Sequence, residues 1–268
     1  MMKGAIFCLQ TAYRQTPHVP TGKVATVSIA VAAVVLAGGS GSRVHREVNK
    51  VYLPIGDRDI LAYSLETMER SPRISRVVLV VREEDRGQAE LLIGESMTSK
   101  LSNVVVGGSS RHLSELAGLR ALADEIEQDA IKIVAIHDGA RPFMTRDLLH
   151  RLLDTAVRHG GAIPGLPIEA PLYRSTSEGL VMLPALNLRR AQTPQVFHAR
   201  PLLHAYQTSV AAGFEGVDTA ETVERFSDLE VKVIPGDPRN IKITFVEDLF
   251  TAEEYALEWD KGDWVEGR

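Results

Sequence analysis

Cysteine is almost absent from this sequence, in which Cys8 is the single one among 268 residues. A lone cysteine cannot form an internal disulfide, and no cysteine cluster is present that could bind zinc. Basic residues do not dominate either, because 30 lysines and arginines face 35 aspartates and glutamates and give a formal net charge of -5. This balance disfavours long nucleic acid as a partner. The composition favours a protein of a reducing, cytoplasmic compartment.

A long apolar run is also missing. The longest one, over residues 24–37, contains two hydroxyl residues and ends in a glycine-rich loop. A membrane-spanning helix needs about 20 apolar residues, so we expect no contact with a membrane. Residues 1–29 lack a signal-peptide core and a convincing cleavage site. We interpret them as a leader, with a targeting segment or a mis-called start as the alternatives, and expect a single domain over residues 30–268.

Short apolar runs alternate with helical segments along this domain. Apolar residues recur with helical spacing at 60–68, 112–126 and 145–159, and Thr145 and Gly160 are the predicted N-cap and end of the last helix. Continuous apolar strands, each followed by a helix, indicate a parallel sheet that is covered on both faces. The predicted fold class is therefore α/β, a doubly wound domain with a mostly parallel sheet. Its predicted strands lie at 32–37, 76–81, 103–106, 131–136, 161–166 and 231–234.

One segment, residues 167–191, departs from this alternation. Strand-like runs at 172–175 and 180–183 flank a turn at 177–179, which predicts a β-hairpin. A hairpin by itself is marginally stable in water, so it should pack against its own domain or against a second subunit. We favour an arm at about 167–187 that reaches a second subunit and forms a homodimer.

The loop after the first predicted strand reads LAGGSGSRVHREVNK over residues 36–50. Open α/β sheets bind ligands at this end of a strand, and glycines let backbone N–H groups approach oxygen atoms. The loop lacks the Gly-Lys-Ser/Thr of a phosphate loop and the third glycine of a dinucleotide loop. Backbone amides together with Arg43 and Lys50 suit a triphosphate. The alternative is a solvated basic loop.

Three further clusters follow or lie in predicted strands. GGSS at 107–110 precedes a predicted helix, so it can bind a base, sugar or phosphate or simply cap the helix. Asp138 can hold a hydroxyl or Mg2+ and Arg141 a phosphate, or the two side chains can pair with each other. Lys242 lies in the strand-like run NIKIT, where an inward lysine needs an anion and an edge position needs only solvent.

In this order, the motifs resemble the 2-C-methyl-D-erythritol 4-phosphate cytidylyltransferases of isoprenoid biosynthesis. The matching stretches are LAGGSGSR, KVYL, GGSSR, HDGARPF, AQTPQVF and NIKIT, within a resemblance over residues 30–256. The sequence is also similar to ribitol-5-phosphate cytidylyltransferases. The resemblance implies a Rossmann-like nucleotidyltransferase domain, dimeric through an exchanged β-arm. It further implies transfer of CMP from CTP to a polyol phosphate, release of pyrophosphate, and a requirement for Mg2+.

The resemblance also implies roles for individual residues. Arg43 and Lys50 match the pair that stabilises the transition state. Lys242 is expected to be both a catalytic and an acceptor-binding residue. Asp138, Arg141, Thr193 and Lys242 match positions that hold the polyol phosphate. The matching nucleotide-binding positions are Leu36, Ala37, Gly38, Gly39, Ser40, Gly41, Gly107, Gly108, Ser109, Ser110 and Ser114. The sequence identifies no protein ligand of the metal.

The arm departs from the family pattern. Ala170-Pro171 stand where the family has an Asp-Thr pair, and Ala185 stands where it has an arginine that reaches the acceptor. Another cation should therefore hold the acceptor phosphate. We expect Arg174, the nearest one on the hairpin, with Arg189 and Arg190 as alternatives. The expected acceptor is 2-C-methyl-D-erythritol 4-phosphate, and ribitol 5-phosphate or another polyol phosphate stays open.

Two functions of other classes also stay open. An NAD-dependent oxidoreductase would need an acid that closes the second strand and a catalytic Tyr-Lys pair or His, and neither is convincing in the sequence. A catalytically silent nucleotide-binding protein would account for the altered arm. Release of pyrophosphate from CTP in the presence of polyol phosphates distinguishes all of these functions.

Overall fold

Four parallel strands form one half of a mixed sheet in the computed structural model, which describes residues 29–39, 49–96, 99–184 and 187–260. They lie side by side in the order β5-β4-β1-β6. Each of β1, β4 and β6 is mostly buried, as continuous apolar runs predict. The strands are β1 (Val31–Leu36), β4 (Ile74–Val81), β5 (Leu101–Val106) and β6 (Ile133–Asp138).

The other half of the sheet contains both antiparallel and parallel strand pairs. β11 runs antiparallel to both β6 and β7, β10 also runs antiparallel to β7, and β12 runs parallel to β7. These strands are β7 (Gly160–Pro167), β10 (Arg189–Ala191), β11 (Gln195–His198) and β12 (Glu230–Pro235). The predicted α/β fold with a mostly parallel sheet is confirmed. The sheet is mixed, because β10 and β11 run antiparallel to their neighbours.

Helices cover both faces of this sheet. Successive side chains of β1 point to opposite faces, so Val31, Ala33 and Val35 join one apolar cluster and Ala32 and Val34 the other. The first cluster is covered by α1 (Ile60–Arg70), α2 (Arg86–Ser96) and α5 (Arg146–His159). The second is covered by α3 (Arg111–Arg120), α4 (Ala123–Glu127), α6 (Ala199–Ala211) and α7 (Thr219–Phe226).

Two predicted helices show how local sequence sets the helix ends. The Thr145 side chain accepts a hydrogen bond from the Leu148 N–H, and Gly160 follows the last turn with a positive φ of 104°, so both predicted ends of α5 are confirmed. The helix predicted over 112–126 is instead divided into α3 and α4. At the break the Leu122 N–H bonds to Leu119 O, a tighter turn that lets Leu122 and Ile126 enter the core.

The predicted hairpin is present as β8 (Leu172–Thr176) and β9 (Gly179–Leu183), which pair with each other in a two-stranded sheet of their own. Its apolar side chains are largely exposed, with 56% of Tyr173, 71% of Leu180 and 65% of Met182 accessible to solvent. Such residues on a marginal two-stranded sheet call for a covering surface.

The last described element is α8 (Glu247–Asp260), which packs on α1 through a third apolar cluster. The run NIKIT precedes this helix and is not a strand, so that expectation was wrong. The Ile243 N–H donates to Ala140 O and ties this run to the loop after β6, where Ile243 is buried. Two short strands, β2 (Pro54–Ile55) and β3 (Arg58–Asp59), pair with each other, and two 3-10 helices lie at Lys50–Tyr52 and Glu83–Asp85. No helix in the described ranges is long and apolar enough to cross a membrane.

Candidate active site

The predicted site residues gather at the carboxyl edge of the parallel strands. In the sheet register, Leu36 at the end of β1 lies opposite Val80 of β4 on one side and Asp138 of β6 on the other. Neighbouring strands are about 5 Å apart, so the loops that follow β1 and β6 are adjacent. The Gly139 N–H also donates to Leu36 O at 2.9 Å and ties the two strand ends together.

A pocket of about 230 Å³ lies beside the first glycine loop. It brings together segments that are far apart in sequence, since Gly38 lies on one wall and Gly107 and Gly108 on another. Arg82 is part of the lining and was not predicted as a site residue. The lining residues are Gly38, Val81, Arg82, Glu83, Glu84, Val106, Gly107, Gly108 and Ser114.

The GGSS turn brings the start of α3 against the end of β5. A Cβ on Gly107 would lie 2.6 Å from Ser114 Oγ, and one on Gly108 would lie 2.3 Å from Leu113 Cβ. Ser114 Oγ accepts from the Gly108 N–H at 3.2 Å and donates to Ser110 O at 2.8 Å. Ser110 Oγ in turn accepts from the Leu113 N–H, so the alternative role as a helix cap is correct for Ser110. These bonds hold the turn in the shape that forms the pocket wall.

Asn49 ties the end of the first glycine loop to the end of β1. Its side-chain amide donates to Ala37 O and to Asp85 Oδ2, each at 2.7 Å, and Asp85 also accepts two hydrogen bonds from Arg82. Lys50 is the first residue of the 3-10 helix that Asn49 caps, so this network fixes the position of the Lys50 backbone. The only signal for Asn49 in the sequence is its residue type, which favours helix N-caps. Ser40, Gly41 and Arg43 lie outside the described residues.

Asp138 is the centre of a cationic cluster after β6. Its Oδ2 lies 2.8 Å from Lys242 Nζ and 3.7 Å from Arg141 Nε, and its Oδ1 lies 3.3 Å from Arg111 Nη2. Arg141 therefore does face Asp138, but the shorter contact is with Lys242. The Lys242 side chain is 40% exposed, which reconciles the two expectations for it, an anion and solvent.

The charge state of this cluster follows from burial and from its neighbours. Burial would raise the pKa of Asp138, but Lys242, Arg111 and Arg141 outweigh it and hold that pKa well below its ordinary range. Asp138 is therefore a carboxylate at neutral pH and accepts hydrogen bonds. Burial lowers the pKa of the adjacent His137 to about 4, so this imidazole is neutral.

Neutral His137 and Thr193 hold the backbone around the cluster. His137 Nε2 lies 3.2 Å from Arg141 O and its Nδ1 lies 3.3 Å from Thr193 Oγ1. The Thr193 hydroxyl also accepts from the Asp138 N–H at 3.0 Å, and Asn240 donates to Thr193 O. Thr193 and the loop before Lys242 are therefore locked onto Asp138, although the three residues are far apart in sequence.

Arg141 has an unused donor in this cluster. Its Nη1 donates to Asn240 O at 2.9 Å, whereas its buried Nε has no hydrogen-bond acceptor among the described residues. Its ion-pair partner, Asp138 Oδ2, lies 3.7 Å away and beyond hydrogen-bond distance, so this Nε can still donate to an anionic ligand.

The arm residues lie elsewhere. Arg174 is exposed on β8 opposite Val181 and forms no ion pair with a described residue, so the chain itself does not bring it to Asp138. Burial and Arg111 lower the pKa of Arg141, and the charge of Arg190 on β10 adds a smaller effect in the same direction. Ala185 lies outside the described residues.

The described residues of the site do not form a cage for Mg2+. Within the described ranges, no group of three or more His, Cys, Asp or Glu side chains could hold a metal ion. Both oxygens of Asp138 already face cationic side chains, so a further cation would be repelled there. Mg2+ is often bound mainly by substrate phosphates and water, and only that mode fits these residues.

Comparison with known proteins identifies one family. The family model described as IspD, 2-C-methyl-D-erythritol 4-phosphate cytidylyltransferase, matches residues 31–258. An enzyme of that name from Geobacillus kaustophilus is 38% identical over 224 residues, which are 82% of this chain and 94% of the relative. One from Syntrophus aciditrophicus is 36% identical over 229 residues, covering 84% and 95%.

Solved structures give the same result. The 4-diphosphocytidyl-2C-methyl-D-erythritol synthase of Anaerococcus prevotii superposes with a TM-score of 0.74 at 27% identity, covering 85% of this chain and 96% of that one. The 2-C-methyl-D-erythritol 4-phosphate cytidylyltransferase of Thermus thermophilus superposes with a TM-score of 0.64 at 26% identity, covering 84% and 98%.

Proposed function

Because the chain belongs to the 2-C-methyl-D-erythritol 4-phosphate cytidylyltransferase family, we propose that it transfers CMP from CTP to the phosphate of 2-C-methyl-D-erythritol 4-phosphate and releases pyrophosphate. One observation carries this proposal beyond the family relationship. A glycine-walled pocket and the cationic cluster around Asp138 lie at neighbouring strand ends of the same sheet edge. A nucleotide and an anionic acceptor would therefore meet between them.

The glycine loops are the nucleotide half of the site. Backbone N–H groups of residues 36–41 would contact the triphosphate, and the pocket beside Gly107 and Gly108 would take the cytosine and ribose. Ser109 is exposed on this turn, so its hydroxyl can contact the nucleotide. Ser110 and Ser114 act through the backbone that they hold.

The reaction needs charge stabilisation more than proton transfer. A phosphate oxygen of the acceptor attacks the α-phosphorus of CTP, the bond to the β-phosphate oxygen breaks, and pyrophosphate leaves with that electron pair. Negative charge builds on the oxygens of the α-phosphate and on the leaving group, so positioned cations lower the barrier. Lys50 and Arg43 supply those cations. No covalent intermediate with the enzyme is needed.

The Asp138 cluster is the acceptor half. The Asp138 carboxylate accepts a hydrogen bond from an acceptor hydroxyl, while Arg141 and Lys242 bind the acceptor phosphate. Lys242 also keeps the attacking oxygen near the α-phosphorus, which makes it both a binding and a catalytic residue. Thr193 supports the acceptor half, because its hydroxyl holds the backbone N–H of Asp138.

The arm completes the acceptor half in a homodimer. The exposed apolar side chains of β8 and β9 would be buried against a second subunit, and this contact would carry Arg174 to the acceptor phosphate of that subunit. Mg2+ would be bound by the triphosphate oxygens and would neutralise part of their charge. A cytoplasmic location fits the single cysteine and the substrates.

Pyrophosphate release from a matrix of substrates tests this function. CTP, UTP, ATP and GTP would each be combined with 2-C-methyl-D-erythritol 4-phosphate and with ribitol 5-phosphate, with Mg2+ or with EDTA. We expect release with CTP, the methylerythritol acceptor and Mg2+. A preference for ribitol 5-phosphate would move the chain to the other acceptor, and no release from any nucleotide would contradict the proposal.

A further inference from the structure

A buried carboxylate lies behind the acceptor half and has no role in the proposed reaction. Glu115 on α3 is completely buried. Thr219 Oγ1 donates to its Oε1 at 2.6 Å, and the Tyr206 hydroxyl donates to its Oε2. Burying an ionised carboxylate is costly unless it is paired, so such a group calls for a partner.

Arg111 is that partner, and it also reaches the acceptor cluster. Its Nη1 lies 2.6 Å from Glu115 Oε1, while its Nη2 lies 3.3 Å from Asp138 Oδ1. A single planar guanidinium therefore spans the two carboxylates. Arg111 is the first residue of α3 after the Ser110 cap, so the turn that shapes the nucleotide pocket also places this arginine.

The two oxygens of Asp138 are held by different cations. Oδ2 faces Lys242 and Arg141, and Oδ1 faces Arg111. Because the guanidinium is anchored at its other end, it fixes the plane of the Asp138 carboxylate instead of following it. Lysine could not do the same, since it is a point charge without the fork of the guanidinium.

We propose that Arg111 is a positioning residue for Asp138 and that Glu115, with Tyr206 and Thr219, anchors it from behind. This inference rests on the proposed function, because it assigns a task to the acceptor half of that site. Its consequence is specific to the acceptor. Loss of the anchor would misalign Asp138 and weaken acceptor binding, while CTP binding would change little.

A purely structural role for the Glu115–Arg111 pair predicts something else. Removing one member of a buried ion pair leaves an uncompensated charge and destabilises the fold. Neutralising the second member should then restore both stability and activity if the pair only supports the fold. If Arg111 positions Asp138, stability returns and acceptor binding does not. The two roles are therefore separable.

The test compares Arg111→Ala, Glu115→Gln and the double variant with the wild-type protein. Thermal midpoints and the KM values for CTP and for 2-C-methyl-D-erythritol 4-phosphate are measured for each. We expect Arg111→Ala to lower the midpoint and to raise the acceptor KM roughly tenfold. The double variant should regain most of the midpoint but keep the raised acceptor KM. Glu115→Gln alone should raise the acceptor KM by a smaller factor.

Two further variants sharpen the result. Arg120→Ala removes an exposed arginine at the other end of α3 and should change none of these quantities. Arg111→Lys keeps the charge without the fork and should leave the acceptor KM raised. An acceptor KM at the wild-type value in the double variant, or an equal rise in both KM values, would overturn the inference. A wild-type protein without cytidylyltransfer would overturn the proposed function itself.

Discussion

The neighbouring residue Asn49 helps to fix the position of Lys50. Asn49 bonds to Ala37 O and to Asp85, so the residue after it is delivered to the end of β1. In the proposed mechanism, this position lets Lys50 act on a triphosphate bound at the start of the preceding loop.

Replacing Lys50 with alanine should lower kcat by about 10²–10³, the usual effect of removing one preorganised charge-stabilising group. Steady-state kinetics measures the change, and a thermal melt should show little difference. Lys232→Ala is the matched control, because this exposed lysine on β12 pairs only with Glu230 in the described chain. A kcat near the wild-type value for Lys50→Ala would remove the lysine from the mechanism.

His137 makes the stability of the folded protein depend on pH. Its pKa of about 4 lies below the ordinary value of 6.5, because burial disfavours the charged ring. Between these two pH values the unfolded chain binds a proton there and the folded chain does not. The contribution of His137 to the free energy of unfolding is therefore complete above about pH 6.5 and falls as the pH is lowered toward 4.

Urea unfolding of wild type and of His137→Gln at several pH values between 4 and 8 measures this contribution. The variant should lose part of the slope of unfolding free energy against pH. His159→Gln is the control, since that histidine is partly exposed beside Glu230. Parallel slopes in wild type and His137→Gln would mean that His137 is not held neutral.

The turn between β5 and α3 is the element that shapes the pocket proposed to bind the nucleotide. Gly108 has no room for a Cβ, because Leu113 lies in the way at 2.3 Å. The clash involves the first turn of a helix whose other residues include Arg111 and Ser114, so a shift of this turn would reach both halves of the site.

Gly108→Ala should therefore raise the KM for CTP by about tenfold, which corresponds to roughly 1.4 kcal/mol, and lower the thermal midpoint. Gly94→Ala is the matched control, since a Cβ there has nothing within 4 Å and the residue lies inside α2. That control should keep its KM and should be slightly more stable. A Gly108→Ala protein that binds CTP normally would contradict the proposed pocket.

The sequence correctly predicts those elements whose residue pattern is specific for one structural environment. Continuous apolar runs predicted the parallel strands, and Thr145 and Gly160 predicted the ends of α5. It failed for NIKIT, because an alternating apolar pattern also fits an irregular segment whose Ile243 is buried against the loop after β6. It missed Glu115, since a glutamate on an amphipathic helix usually lies in solvent, and only the tertiary contact with Tyr206 shows otherwise.

The whole molecule is expected to share each active site between two subunits. The acceptor cluster of one chain contains Asp138, Arg141 and Lys242 but not Arg174, which stands on the exposed hairpin. Motif order alone predicted the first three together, through a resemblance that spans most of the chain. Periodicity could not have predicted that Lys242 meets Asp138 and Arg141, because it lies on a separate loop far along the chain.

Arg174→Ala should raise the acceptor KM by roughly ten- to hundred-fold, the effect of one lost charge-assisted contact, and leave the CTP KM nearly unchanged. Mixing this variant with Lys50→Ala should restore part of the activity, because a mixed dimer has one site with both groups intact. Arg190→Ala is the comparison within the same chain. A larger acceptor effect from Arg190, with no recovery on mixing, would assign the phosphate contact to β10 and not to the arm.

The identity of the reaction product tests the central claim most directly. Phosphorus NMR of the wild-type protein with CTP, 2-C-methyl-D-erythritol 4-phosphate and Mg2+ follows every phosphate at once. We predict two coupled diphosphate signals from a product in which the diphosphate joins cytidine to methylerythritol. This product should form in equal amount with pyrophosphate and should be absent when either substrate is left out. Conversion of CTP while the acceptor phosphate signal stays unchanged would contradict the account.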